Sequence, residues 1–181
     1  KKFNVKVGAV IYRDYADGQY VTEVLPLTSP RNPEFDSFLD KGGDYGIKSH
    51  KLDRTLAEAM YTGIDVAIER LGFRPSQSNI LLVAGDCGND RADTQIASED
   101  IVNKLVEKNI SIMGFQVRRN TEDAFELFNS QMVDLMYEGL ERKYTTLNKG
   151  ITLQLKETLE GYEFQNDAKS VLYVGSHSFP E

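Results

Sequence analysis

From Gly42 onward the sequence alternates between stretches whose apolar residues recur at helical spacing and short runs that are apolar at nearly every position. Leu56, Ala59, Met60, Gly63, Ile64, Ala67 and Leu71 form one helical stripe, with Glu58, Asp65, Glu69 and Arg70 mostly away from it. This predicts a helix from Leu56 to about Leu71. Thr55 and Glu58 have the spacing of a capping box, in which two side chains satisfy backbone N–H groups that the first turn leaves unbonded. Ile80-Leu81-Leu82-Val83-Ala84 is apolar on both faces, as suits a strand in the middle of a parallel sheet. Ser98, Glu99 and Asp100 open a second helix that ends near Lys108-Asn109, where basic charge favours the helix dipole. Ile110 to Val117 reads as the next strand. Thr121-Glu122-Asp123 then opens a long helix carrying Phe125, Phe128, Met132, Leu135 and Met136, fading around Leu140. Such alternation predicts an α/β fold of three layers, a doubly wound and mostly parallel sheet with helices on both faces. Ligands of such sheets sit at the carboxyl ends of the strands.

The two ends of the chain add to this frame. Val5 to Tyr12 reads as a buried strand, Asp14 to Gln19 as a hairpin turn around Asp17-Gly18, and Tyr20 to Leu27 as the returning strand. Pro33 to Leu39 is a short helix with Phe35, Phe38 and Leu39 on one face, ended by Gly42-Gly43. Strand-like pieces recur at Ile151 to Leu155 and Val171 to Val174. The expected organisation is an α/β domain over residues 1–140, and over 141–181 a strand-containing extension packed on the same domain.

Composition narrows the function classes. The formal charge of -7, from 21 basic and 28 acidic residues, repels phosphate backbones and argues against nucleic acid as a partner. No apolar run approaches the ~20 residues of a membrane-spanning helix. The single cysteine, Cys87, excludes an internal disulfide and leaves the redox compartment open. A start at Lys1-Lys2-Phe3, without methionine, is what an excised part of a longer protein would show. Phosphate-cradling glycine loops and the Gly-x-Ser-x-Gly nucleophile elbow are both missing from the sequence.

Four segments in order carry a family resemblance: Val7-Gly8-Ala9-Val10-Ile11-Tyr12-Arg13-Asp14-Tyr15, Gly42-Gly43-Asp44, Ala57-Glu58-Ala59-Met60-Tyr61-Thr62-Gly63-Ile64, and Leu81-Leu82-Val83-Ala84-Gly85-Asp86. Over roughly residues 5 to 140 the chain resembles the von Willebrand factor A domain. The resemblance implies a Rossmann-like fold that works by protein–protein contact, often through a divalent cation at the carboxyl end of the sheet. Bacterial members of this kind occur in envelope and secretion machinery, including type VI secretion accessory proteins. A cell-envelope or periplasmic location follows from that likeness.

The family's metal site joins an Asp-x-Ser-x-Ser loop after the first strand, a threonine before a helix and an aspartate after the fourth strand. Asp86 matches the aspartate. Thr55 stands one residue early for the threonine, and the Asp-x-Ser-x-Ser loop is missing because the chain begins at what would be the second strand. One carboxylate is too few for a hard dication, so no cofactor is expected, with Mg²⁺ possible only if another segment supplies the missing ligands. In a sheet ordered 3-2-1-4-5-6 the absent strand is central. Either a preceding segment supplies it, or Ser170 to Val174 fills it as a permuted strand.

Two functional readings follow. The first is a non-enzymatic interaction or scaffold module, held to its protein partners by the loops Asp14 to Asp17, Gly42 to Arg54 and Asp86 to Asp93. Within these, Asp14, Tyr15, Asp17, Asp44, Tyr45, His50, Asp53, Asp86, Asn89 and Asp90 are the candidate contact residues. The second is a caspase-like cysteine peptidase, because a buried strand runs into Gly85-Asp86-Cys87-Gly88. It requires a histidine beside the Cys87 thiol, and only His50, in a loop, and His177, in the tail, are available.

Overall fold

The computed structural model describes residues 4–14, 21–45, 57–90, 95–117, 122–144, 163–166 and 170–174. Alternation begins with an antiparallel hairpin, β1 (Val7–Tyr12) and β2 (Thr22–Thr28), whose register runs from Val7 opposite Thr28 to Tyr12 opposite Thr22. Helix α1 (Pro33–Tyr45) follows and packs on both strands. Its start is fixed locally: the Asn32 side chain accepts the Glu34 N–H at 3.1 Å, with Pro33 in the first helical position. Gly42-Gly43 does not end it, contrary to expectation. Each glycine costs a helix only ~1 kcal/mol relative to alanine, which an established helix can absorb.

Helix α2 (Met60–Arg70), β3 (Asn79–Gly85), α3 (Ser98–Glu107), β4 (Ile110–Val117) and α4 (Glu122–Tyr144) realise the expected helix–strand alternation. Their boundaries differ at two points. Helix α2 starts at Met60 rather than Leu56, because Glu58 is engaged in a bridge to Asn89 and is unavailable to a first turn. Thr55 lies outside the described residues. Helix α3 starts at Ser98 as expected, whereas α4 continues past Leu140 to Tyr144. Between α3 and β4, Asn109 takes a left-handed φ of 51°, a conformation asparagine tolerates better than most residues.

Strands β3 and β4 pair in parallel along seven residues, from Asn79 opposite Ile110 to Gly85 opposite Gln116. Two short strands complete that sheet, β5 (Glu163–Asn166) and β6 (Ser170–Val174), in the order β3-β4-β6-β5. Both of the pairings that involve β6 are antiparallel. Among the described residues the fold is therefore α/β, but β3–β4 is its one parallel ladder, not one of several. Strand β6 lies beside β4 and away from β3, so it does not fill the slot of a missing central strand. Ile151 to Leu155 fall outside the described residues.

The core forms where α2, α3 and α4 meet one face of β3 and β4. Met60, Ile64 and Ile68 of α2, Ile101 and Leu105 of α3, and Phe128, Met132 and Leu135 of α4 close on Leu81, Val83, Ile110 and Ile112. The other face of β3 is different. Ile80 and Leu82 are 60% and 57% exposed, so the doubly apolar run is buried on one side only. Strands β1–β2 and β3–β4–β6–β5 form separate sheets among the described residues.

Candidate functional site

The carboxyl end of β3 runs into Asp86-Cys87-Gly88-Asn89-Asp90, and this loop is tied to three other elements. The segment entering α2 lies beside it: the Glu58 N–H donates to the Gly88 carbonyl at 2.9 Å, and the Asp90 N–H donates to the Glu58 carbonyl at 3.3 Å. The next residue, Ala59, donates its N–H to the Arg13 carbonyl just past β1 at 3.2 Å. A single extended dipeptide thus links the end of β1 to the loop after β3.

Asn89 is the hub. It is 1% exposed. Its side-chain oxygen accepts the Tyr61 N–H at 2.8 Å, capping α2 from a residue 28 positions away. Its amide nitrogen donates to the Asp90 carbonyl at 3.1 Å. On the other side Gln131 of α4 grips the Asn89 backbone twice, accepting its N–H at 2.6 Å and donating to its carbonyl at 3.0 Å. Gln116, buried at the end of β4, donates to the Asp86 carbonyl at 3.4 Å. These bonds satisfy loop groups that would otherwise be buried without partners, at a cost of ~1–3 kcal/mol each. Gly88 permits the approach: a Cβ there would stand 2.7 Å from the Phe128 nitrogen and 2.8 Å from the Leu127 carbonyl carbon, both backbone atoms.

Tyr12 occupies the junction between β1, α2 and this loop. Its ring lies against the backbone of Gly63, and its hydroxyl lies where a Cβ on Gly85 would be 2.5 Å away. Burial pushes its hydroxyl pKa up from the ordinary value near 10, and the nearby charges of Glu58, Asp86 and Cys87 push it further. The ring therefore stays neutral and serves as a spacer. In α2, burial first and then Asp134 and Glu138 of α4 push the Tyr61 hydroxyl up to about 12.

Of the sequence-predicted contact residues, Asp86 and Asp90 are half-buried on this loop and Asp14 is half-buried after β1. Asn89 is a correction: it is interior and holds the loop, and offers no surface to a partner. Asp44 and Tyr45 belong to the last turn of α1 instead of a loop. Tyr15, Asp17, His50, Asp53 and Thr55 fall outside the described residues. Gln131, Gln116 and Tyr12 were not anticipated. Gln131 did carry a signal, a polar residue three positions from Phe128 and next to Met132 on a core-facing stripe.

Among the described residues no group of three or more His, Cys, Asp or Glu side chains could hold an ion. The side-chain oxygens of Asn89 and Gln131 are engaged in accepting backbone N–H groups. As a peptidase site the loop presents Cys87 at 4% exposure, closed to a substrate carbonyl, and both histidines lie outside the described residues.

Sequence comparison gives one family match: a model described as the TssR protein VWA domain covers residues 1–174. No curated protein and no solved structure matches.

Proposed function

Because the chain belongs to the family of TssR VWA domains, from a type VI secretion-associated protein, we propose that it holds a protein partner in that machinery without doing chemistry. The contact surface is the clamped loop after β3 together with Asp14 beyond β1. The observation that carries this reading is the double grip of Gln131 and the Asn89 cap on the loop, which leave Asp86 and Asp90 half-exposed on a backbone fixed in advance. A surface ordered before binding loses less entropy on association. Two aspartates on its rim favour a partner patch of positive charge.

In this reading the two sheets belong to one three-layer, doubly wound architecture, and residues 141–181 extend the same domain. No described helix is long and apolar enough to cross a membrane, and an envelope location is the proposal that follows from the secretion family. The contact is metal-independent, since Asp86 is the one family ligand matched.

The test is recovery of partners from source cells on the full-length protein, with and without chelator, and again with Asp86→Lys and Asp90→Lys together. The partner should survive chelator and be lost on charge reversal. Loss in chelator alone would restore a metal-dependent mode, and a partner indifferent to charge reversal would remove the loop from the interface.

A further inference from the structure

Tyr12 is the point at which the two halves of the proposed contact surface touch. It stands two residues before Asp14, and its hydroxyl lies against Gly85, the residue before Asp86. Both ends of the side chain meet backbone. A Cβ on Gly63 of α2 would stand 2.7 Å from the Tyr12 Cβ and Cγ, and one on Gly85 would stand 2.5 Å from its hydroxyl oxygen. Neither approach leaves room for a side chain on the glycine, so the ring is wedged between α2 and the carboxyl end of β3.

A backbone route joins the same two places. The Ala59 N–H donates to the Arg13 carbonyl at 3.2 Å, the Glu58 N–H to the Gly88 carbonyl at 2.9 Å, and the Asp90 N–H to the Glu58 carbonyl at 3.3 Å. One attachment would let the loop turn about it, whereas two fix its distance and its angle. Glu58, Asp86 and Cys87 all act on the Tyr12 hydroxyl, so the side-chain route ends among the segments that the backbone route connects.

We propose that Tyr12 is the positioning residue of the contact surface: through Gly85 it sets the spacing between Asp14 and Asp86, and so selects a partner whose two positive groups match that spacing. The inference rests on the contact reading above and deepens it. A loose pair of carboxylates accepts cations at many separations, whereas a pair fixed in advance favours one and loses less entropy on binding it. The atoms at Gly85 allow a reciprocal test. Without the hydroxyl, the next Tyr12 atom is Cζ, 3.7 Å from a Cβ at that position, and Phe128 Cε2 at 3.3 Å need give only slightly. A methyl on residue 85 then takes the place of the hydroxyl. At Gly63 the same removal brings no relief, because the atoms met there are Cβ, Cγ and Cδ1, which phenylalanine keeps.

The experiment is hydrogen exchange at the Ala59 and Asp90 amides of the full-length protein, with the fully buried Leu105 as the reference for general stability. Gly85→Ala should speed exchange at Ala59 and Asp90 by about tenfold or more and leave Leu105 within about twofold. Adding Tyr12→Phe to Gly85→Ala should restore both rates, and adding it to Gly63→Ala should restore nothing. Tyr12→Leu, too short to reach Gly85, should loosen the same two amides by shortening instead of crowding. Affinity for a synthetic arginine peptide of about six residues, the probe for a positive patch, should fall about threefold in Gly85→Ala and return in the double variant. Equal acceleration at Leu105 would make Tyr12 an ordinary core residue and overturn the proposal, as would a double variant no better than Gly85→Ala. If Gly85→Ala binds the peptide as wild type does while Asp86→Lys with Asp90→Lys abolishes binding, this inference falls and the contact reading stands. If the charge reversal leaves binding unchanged, the contact reading falls and takes this inference with it.

Discussion

Leu81 and Leu82 are the same residue on the same strand and live in different environments. Leu81, 9% exposed, points into the core closed by α2, α3 and α4, whereas Leu82, 57% exposed, points away from it. The edges of β3 divide in the same way, one paired with β4 along its length and the other without a strand partner among the described residues. The contrast shows that one strand carries a filled face and an exposed apolar face. The helix-facing side is filled, and the opposite face leaves Ile80 and Leu82 largely exposed.

The comparison can be broken most severely from the packed side. Ile112→Ala empties a fully buried position opposite Leu81 and should cost about 2–5 kcal/mol in urea unfolding. Asn89→Ala removes the cap on α2 while leaving the Gln131 bonds to the loop backbone. A loss of about 1–2 kcal/mol is expected by denaturant titration, with weaker exchange protection at the Tyr61 amide as its local signature. A loss no larger than that of a surface variant would show that the loop is not what holds α2.

Smaller effects sharpen the contrast. Lys104 joins Asp65 at 2.6 Å and Glu69 at 3.1 Å, and Lys108 joins Glu69 at 2.9 Å, tying α3 to α2 at the surface. Lys104→Met should cost about 1 kcal/mol or less, and less again in high salt. Its pH dependence has a definite sign. Hydrogen bonds from Lys108 and Lys104 lower the Glu69 carboxyl, so that contribution is present above the ordinary carboxylate range and is lost as pH falls below it. The Asp65 hydrogen bond, followed by Glu69, raises the Lys104 ammonium, so its contribution holds below the ordinary lysine range and fades as pH rises beyond it. Thermal melts across pH should lose the difference between wild type and Lys104→Met at both extremes. Leu82→Ala should shift stability by no more than about 0.5 kcal/mol. A loss like that of Ile112→Ala would mean that this face is packed like the other, which erases the comparison.

Much of this was readable from residues alone. The stripe from Leu56 to Leu71 and the run Ile80 to Ala84 gave helix and strand because their periods differ, and the loop from Asp86 to Asp93 was placed at a strand's carboxyl end by that order. The start of α2 was not readable. Thr55 and Glu58 had capping-box spacing, but the cap comes from Asn89, whose partners stand 28 and 42 positions away. Asn89 looked like a loop contact for the same reason: a polar residue in a polar stretch shows nothing of its burial. Gly42-Gly43 misled in the other direction, as a local helix-breaking signal outweighed by α1 packing on β1 and β2.

By itself the sequence determined the alternation of elements, the hairpin, the family likeness and the missing match to a complete cation site. All of these rest on period, order and residue type, which are local or additive along the chain. Tertiary structure alone decided which face of β3 is buried, where the carboxyl-terminal strand pairs, and that Asn89 caps α2. Those depend on which distant segments meet, and an apolar run has the same spelling whether both of its sides are covered or only one.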